Sequence, residues 1–222
     1  NPDGIDINMG CSVRDVLSSG RGSALINDKV LAKEIIDVVK DSAGDLPVSV
    51  KTRIGFEKID TEEWIGFLLE QGLDMITVHG RLSREGYSTS SRWNEIAKCV
   101  KLRDSISPDT LILGNGDVKD IGQAKEYSDK YSVDGVMIGR AVLTNPWLFS
   151  GRQPEDISKE ERVTTLLHHL GIFEKEKGDM NIFNSQKKYI KAYISNFEGA
   201  VELRTRLMDV NTVDAVRDLL SQ

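Results

Sequence analysis

Reactive and ligand-binding side chains follow five apolar runs in the first two thirds of the chain. They are an amide and a thiol, a lysine and an arginine, an imidazole, and two glycine-containing turns with charged neighbours. In chain order they are Asn8, Gly10 and Cys11, then Lys51 and Arg53, His79-Gly80-Arg81, Asn115-Gly116-Asp117 and Gly139-Arg140. Side chains of these types exchange protons and bind anions, and glycine lets backbone N–H groups approach a phosphate closely. The sequence therefore predicts a site that combines these residues.

The elements that would position these residues follow a repeating βα pattern, in which a short β-branched run precedes an amphipathic stretch. The predicted strands are Gly4–Met9, Val48–Arg53, Met75–His79, Leu111–Asn115 and Gly135–Ile138. The predicted helices are Asp28–Asp41, a segment capped by Thr61 and ended by Gly72, Trp93–Ser105 and Asp120–Lys130. In the first of these helices, helical spacing predicts an apolar face of Val30, Leu31, Ile35, Val38 and Val39.

The position of the polar residues favours a (β/α)8 barrel, because such barrels build their active sites at the C-terminal ends of the strands. A doubly wound parallel sheet is the alternative. Five strands are predicted, whereas this type of barrel has eight, so we expect three further strands to precede Asn1 in the full gene. Residues 1–150 are thus predicted to be an α/β fold, a partial TIM barrel made of its last five βα units.

Helices replace the βα pattern beyond Phe149. Gln153–Asp156 is a polar linker, and a capping box from Ser158 to Glu161 starts a helix that runs to about Lys177. Three more helices are predicted over Phe183–Phe197, Ala200–Met208 and Thr212–Leu220, the last capped by Asn211 or Thr212. Residues 151–222 are therefore predicted to form a C-terminal helical-bundle domain.

Composition excludes several classes of protein. The 222 residues carry 29 basic and 35 acidic side chains, a net charge of −6, and no apolar run approaches the roughly 18 residues that span a membrane. Two cysteines are too few for a disulfide framework or a multi-cysteine metal site. The neighbours His168 and His169 would point about 100° apart on a helix and do not form a metal-binding pair. We predict no metal, no membrane association, no export signal, and a monomer in the cytoplasm.

Five strings in a fixed order carry a resemblance to a known family. They are Asp6-Ile-Asn8-Met-Gly10-Cys11, Val50-Lys51-Thr-Arg53, Val78-His79-Gly80-Arg81, Gly114-Asn115-Gly116-Asp117 and Met137-Ile138-Gly139-Arg140-Ala141. Together with Lys188-Tyr-Ile-Lys-Ala-Tyr193 and Glu202-Leu203-Arg204, they make the chain resemble the tRNA-dihydrouridine synthases over essentially its whole length. That family reduces the C5=C6 bond of selected uridines in tRNA with FMN, which NADPH recharges.

The resemblance implies a role for each residue. Cys11 matches the family's proton donor, because hydride delivered to C6 leaves an enolate-like C5 that must be protonated, and thiols are mostly protonated at neutral pH. The substrate-binding residues would be Asn8, Arg53 and Tyr87. The cofactor-binding residues would be Lys51, His79, Asn115, Gly116, Asp117, Gly139 and Arg140. The RNA-binding residues would be Lys187, Lys188, Lys191, Arg204 and Arg206, which give residues 186–206 a net charge of +3.

Other interpretations fit the same residues. Lys51 and Arg53 are also compatible with a rim salt bridge, His79 with a purely structural role, and the basic helices with ordinary solvated faces. For the whole protein, the alternatives are an FMN-dependent reductase of a small pyrimidine or enone, and a non-catalytic RNA-binding remnant. Ser12 and Asp15 motivate the remnant, because they replace the family's proline and lysine. For this chain alone we expect weak or no FMN binding.

Overall fold

The computed structural model describes residues 2–177 and 180–221. Within them, five strands form one parallel sheet in the order β1-β2-β3-β4-β5. The strands are β1 Ile5–Asn8, β2 Val48–Arg53, β3 Met75–His79, β4 Leu111–Asn115 and β5 Gly135–Met137. These bounds confirm the predicted β2, β3 and β4, and the predicted β1 and β5 are each shortened by one residue at one or both ends.

Helices alternate with the strands and then continue alone. Their bounds are α1 Arg14–Ser18, α2 Lys29–Ala43, α3 Thr61–Leu69, α4 Trp93–Ile106, α5 Ile121–Tyr131, α6 Lys159–Lys177, α7 Lys187–Tyr193, α8 Ala200–Asp209 and α9 Val213–Leu220. The short α1 and a 3-10 turn over Gly22–Asn27 were not predicted from the sequence.

Sequential strand order decides between the two predicted architectures. A doubly wound sheet reverses its order at a switch point, so that strands distant in sequence become neighbours. In the described part of the chain every hydrogen-bonded pair of strands is consecutive and parallel. The sheet is therefore consistent with a partial TIM barrel, and the doubly wound alternative is wrong.

Alternation along the strands gives the sheet two chemically different faces. One face carries the apolar row Ile7, Val50, Ile76 and Ile112, which are aligned by the strand register and belong to the main hydrophobic core. The opposite face carries two aligned rows that contain most of the polar residues. The first row is Asn8, Lys51, Thr77, Leu113 and Gly135, and the second is Arg53, His79, Asn115 and Met137. We call this second face the polar face.

The structure corrects the predicted apolar face of α2. Ala32 and Ile36 are its fully buried residues, whereas Val30 and Val38 are 72% and 64% exposed. Ile35 and Val39 pack only partly against the core. Helical spacing predicts how often buried residues recur along a helix, but not which residues they are. The predicted buried face of α2 is offset by about one residue because apolar side chains occur on both sides of this helix.

Helix caps differ in how well the sequence predicts them. Asp28 and Asp120 cap α2 and α5 by accepting hydrogen bonds from Leu31 N and Gln123 N. The predicted cap Thr61 is wrong: it is the first residue of α3, and its hydroxyl donates to Glu95 on α4 instead.

The chain divides into two compact units, Asn1–Gly139 and Arg140–Gln222. This division lies eleven residues before the predicted domain boundary at residue 150, which stays a prediction. In the second unit, α6 to α9 share a hydrophobic core that includes Leu166, Leu170, Ile190, Leu207 and Val216. The helix predicted over Phe183–Phe197 is wrong at both ends, because a 3-10 turn over Met180–Ser185 precedes α7 and α7 stops at Tyr193.

Two other features of the second unit agree with the sequence. Ser158 accepts from Glu161 N at the start of α6, and Thr212 accepts from Ala215 N at the start of α9. None of the helices among the described residues has the length and apolar character needed to cross a membrane.

Candidate active site

The turn that carries Cys11 is fixed by the strand before it. Asn8, the last residue of β1, accepts hydrogen bonds at its side-chain oxygen from Gly10 N at 3.0 Å and Cys11 N at 3.2 Å. From the other side, Ser23 donates through its backbone and its hydroxyl to the Cys11 carbonyl, at 2.9 and 2.8 Å. Asn8 thus shapes the turn on which the half-buried Cys11 lies.

Gly22 allows this close approach. It adopts φ +63°, and a Cβ atom there would lie 2.6 Å from the Cys11 carbonyl oxygen. Any side chain at this position would therefore displace the turn, because both the backbone angle and the space favour glycine.

Arg53 joins the Cys11 turn to the loop after β3. The side chain is only 8% exposed, and its guanidinium donates to Gly10 O at 2.8 Å, Leu82 O at 2.9 Å and Ser12 Oγ at 3.1 Å. Burial is the main cause that lowers the pKa of Arg53, and the positive charge of Arg81 lowers it further. Ser12 therefore contributes an acceptor to the turn. Arg53 is placed to hold the Cys11 turn, and its contact with substrate stays a prediction.

Lys51 and Thr77 lie side by side on the polar face, one row below His79. Burial is the main cause that lowers the pKa of Lys51, and the charge of Arg53 lowers it further. Thr77 is fully buried, and no described group makes a hydrogen bond with its hydroxyl. A buried hydroxyl without a partner is uncommon. Together, the Lys51 ammonium and the Thr77 hydroxyl offer two hydrogen-bond donors to a polar ligand on the polar face.

His79 contacts a fully buried arginine. Arg81 NH1 lies 3.1 Å from His79 Nε2, and Arg81 NH2 lies 2.6 Å from both carboxylate oxygens of Asp117. Burial, followed by the positive charges of Arg53, Lys51 and Arg81, lowers the pKa of His79 from 6.5 to about 3. His79 is therefore neutral at physiological pH.

The depressed pKa predicts acid sensitivity. The unfolded state binds a proton at His79 below about pH 6.5, whereas the folded state does so only near pH 3. The stability contributed by the neutral ring is thus complete above pH 6.5 and is lost as the pH falls towards 3. At pH 5 we expect a loss of about 2 kcal/mol relative to pH 7 from this residue. Urea unfolding at the two pH values should show this loss in the wild type but not in His79→Gln; equal losses in both proteins would contradict the assignment.

The two glycine-containing turns differ in their surroundings. Gly116 has φ +125°, and a Cβ atom there would lie 2.2 Å from Ser91 Oγ and 2.9 Å from His79 Cδ2. No heavy atom of the described residues lies within 4 Å of an added Cβ at Gly139, so this backbone is open to a ligand. Asn115 Nδ2 donates to Met137 O at 2.7 Å and joins the ends of β4 and β5.

Asp117 and Arg140 need separate comment. The Asp117 carboxylate is bound by Arg81 and by Ser91 N, at 2.9 Å for the latter, so its role in this structure is to hold Arg81. Arg140 is the first residue of the second unit, and its predicted place at the phosphate stays a prediction.

A cavity of about 860 Å³ adjoins the Cys11 turn. Its wall includes Ser12, Arg14, Arg53, Phe56, Arg84 and Tyr87. Tyr87 is 68% exposed, and the Arg84 guanidinium lies 5.0 Å from the centre of the Phe56 ring. Cations and aromatic rings at one opening are suited to a nucleotide. Phe56 and Arg84 were not predicted as site residues, although both follow strand ends.

The predicted RNA-binding residues do not form one stripe. Lys187 donates to Met208 O and Asn211 Oδ1, and Arg204 donates to Ile194 O, so both hold the second unit together. Arg204 and Arg206 are two positions apart on α8 and point about 200° apart. Lys188 and Lys191 are exposed on neighbouring positions of one face of α7.

One family model and three curated relatives show what the chain is similar to. The family model described as dihydrouridine synthase (Dus) matches residues 1–222. The chain is 39% identical over 221 residues to a probable tRNA-dihydrouridine synthase of Staphylococcus aureus and 40% identical over 219 residues to one of Staphylococcus epidermidis. It is 38% identical over 219 residues to the probable tRNA-dihydrouridine synthase 2 of Bacillus subtilis.

These matches cover 98–99% of this chain and 66% of each relative, so the chain spans about two thirds of the length of these relatives. A five-stranded parallel sheet with polar residues at its strand ends is consistent with part of a TIM barrel. The chain belongs to the dihydrouridine synthase family.

The polar face also fits the flavin that the family implies. Thr77 has an unused buried hydroxyl, Lys51 is a partly desolvated cation, and Gly139 leaves open space beside its backbone. Among the residues that the structure describes, no group of three or more metal-ligating side chains is found.

Proposed function

We propose that this protein reduces the C5=C6 bond of specific uridines in tRNA to dihydrouridine. The observation that carries the proposal is the fixed Cys11 turn, which Arg53 ties to the same sheet that bears Lys51 and His79. The family assignment and the printed names of the relatives support the same reaction.

FMN, reduced by NADPH, supplies the hydride for C6 when it is bound. Lys51, His79, Asn115, Gly116, Gly139 and Arg140 are proposed to hold it, and Asp117 acts on this site through Arg81. Lys51 supplies a positive charge for an electron-rich ligand, and Thr77 supplies a hydroxyl that has no partner among the described residues. The polar face thus provides donors where a flavin offers acceptors.

Cys11 is proposed as the proton donor. After hydride reaches C6, the S–H bond breaks, its proton forms the new C–H bond at C5, and the electron pair stays on sulfur as a thiolate. Arg53 donates to Gly10 O beside Cys11, and its positive charge is proposed to offset the negative charge of that thiolate until solvent returns a proton. The turn held by Asn8 keeps the sulfur in place throughout.

The cavity beside Cys11 is proposed to receive the uridine. A base within folded RNA must leave its stack to reach a reaction centre, and extruded bases are held in pockets. Tyr87 and Arg53 are proposed to contact the base at the wall of this cavity. The second unit is proposed to be a helical bundle that binds tRNA, with exposed Lys188 and Lys191 contacting phosphates.

The substrate class can be tested by charge reversal on α7. In the FMN-loaded full-length protein, Lys188→Glu with Lys191→Glu should weaken tRNA binding by about tenfold or more, since each lost phosphate contact removes favourable electrostatics. The matched control is Lys101→Glu with Lys125→Glu, exposed positions on α4 and α5 that change the net charge equally. Binding is measured by filter retention at two salt concentrations.

The outcomes separate the proposed function from its alternatives. Dihydrouridine formed by the flavin-loaded full-length protein on tRNA from cells that lack the modification supports the proposal, and its absence contradicts it. Equal effects of the two charge-reversal variants would favour a reductase of a small pyrimidine or enone. A monomeric state and a cytoplasmic location stay predictions from the sequence.

A further inference from the structure

We propose that Arg81 is a positioning residue that fixes His79 in the tautomer protonated at Nδ1, with the Nε2 lone pair facing the guanidinium. The inference deepens the proposed function, on which its significance for the flavin rests. The geometry itself involves only residues of this chain. Arg81 was part of a sequence string but was not predicted as a site residue.

The contact between the two side chains determines the tautomer. A guanidinium has only donors, and Arg81 NH1 lies 3.1 Å from His79 Nε2. Nε2 must therefore accept, which it can do only without a proton. A neutral imidazole carries its single proton on the other nitrogen, so Nδ1 becomes the donor.

Neither of the other protonation states fits this contact. A doubly protonated ring has no lone pair for Arg81 and would place two cations together in a site where His79 is only 9% exposed. The tautomer protonated at Nε2 would direct its N–H at the donor of Arg81. The low pKa of His79 agrees with the neutral ring.

Arg81 is itself held so firmly that it cannot leave His79 easily. The residue is 2% exposed, it is bound by both oxygens of Asp117, and its Nε donates to Thr89 O at 2.5 Å. Asp117 in turn accepts from Ser91 N. The Cδ2 edge of the imidazole, next to Nε2, is close to Gly116, where an added Cβ atom would lie 2.9 Å from Cδ2.

The consequence is a fixed hydrogen-bond donor on the polar face. His79 lies in one row with Arg53 and Asn115, and Lys51 lies one row below. An Nδ1–H group can donate to a carbonyl oxygen or an unprotonated ring nitrogen, the acceptor types of an isoalloxazine, but it cannot accept from an N–H group. Arg81 thus selects which edge of a heteroaromatic ligand His79 can meet.

The test is nitrogen-15 NMR of histidine-labelled protein without added ligand at pH 7. The chain has three histidines, so the loss of signals in His79→Gln assigns the residue. We expect an unprotonated, pyridine-type Nε2 and a protonated, pyrrole-type Nδ1 at His79. A protonated Nε2 in the wild type would overturn the proposal.

Variants then test whether Arg81 is the cause. Arg81→Met should give a mixture of tautomers and raise the pH at which His79 titrates. Arg92→Met is the matched control, because Arg92 is an arginine of the same loop that pairs with Glu85 at 2.6 Å and should leave both readouts unchanged. An unchanged tautomer in folded Arg81→Met would contradict the proposal. If that variant does not fold, the wild-type spectrum still decides. Enzyme activity is not a readout, so failure of the proposed function would leave this result intact.

Discussion

Cys11→Ala should slow uridine reduction by about two to four orders of magnitude, the usual contribution of a positioned general acid. Reduction of the bound flavin by NADPH should continue at its normal rate, because the thiol donates its proton only to C5 of the uridine. The two half-reactions are measured separately by stopped-flow absorbance in the FMN-loaded full-length protein, with and without tRNA.

The second cysteine provides the control. Cys99 on α4 is completely buried, and burial raises the pKa of its thiol to about 12. Cys99→Ala should leave both half-reactions unchanged, because Cys99 belongs to the hydrophobic core. An equal loss of both half-reactions in Cys11→Ala would contradict its role as the proton donor.

Arg53→Met should destabilise the protein by about 2–4 kcal/mol. The substitution removes a buried, charged hydrogen-bond donor and leaves its acceptors without a partner. The acceptors concerned are Gly10 O, Leu82 O and Ser12 Oγ. The Cys11 turn should loosen at the same time, so uridine reduction should fall more than flavin reduction does. Urea unfolding at pH 7 and the two half-reactions are the measurements.

A nearby arginine distinguishes this effect from a general loss of positive charge. Arg84→Met removes a side chain that is 61% exposed, pairs with Glu57 at 3.5 Å and lies over the Phe56 ring at 5.0 Å. Its effect on stability should be about 1 kcal/mol or less. If Arg53→Met were as stable as Arg84→Met, Arg53 would not hold the turn as we describe.

Strand positions could be predicted from the sequence because β-branched runs, the polar residues after them and the spacing between them are all local signals. Three of the five strands have the predicted bounds, and Asp28 and Asp120 cap the helices that they precede. The burial of Ala32 in place of Val30 shows the limit of such signals, since the phase of α2 depends on what the helix packs against.

The contacts of the candidate site could not be predicted in the same way. Arg53 and Gly10 are 43 residues apart, and Arg81 and Asp117 are 36 apart. Sequence identifies such residues one at a time, whereas the strand register determines which of them meet. Asp117 illustrates this: its position after β4 predicts a cofactor contact, which stays a prediction, and the register also brings its carboxylate to the buried guanidinium of Arg81.

The two faces of the sheet also bear on how the strands find their partners during folding. A shift of β2 by one residue relative to its neighbours would move Val50 and Thr52 to the polar face. Lys51 and Arg53 would then point into the hydrophobic core. Unpaired charges in such surroundings cost several kcal/mol, so misaligned pairings are strongly disfavoured. Lys51 and Arg53, which are proposed to serve the reaction, therefore also disfavour incorrect strand registers.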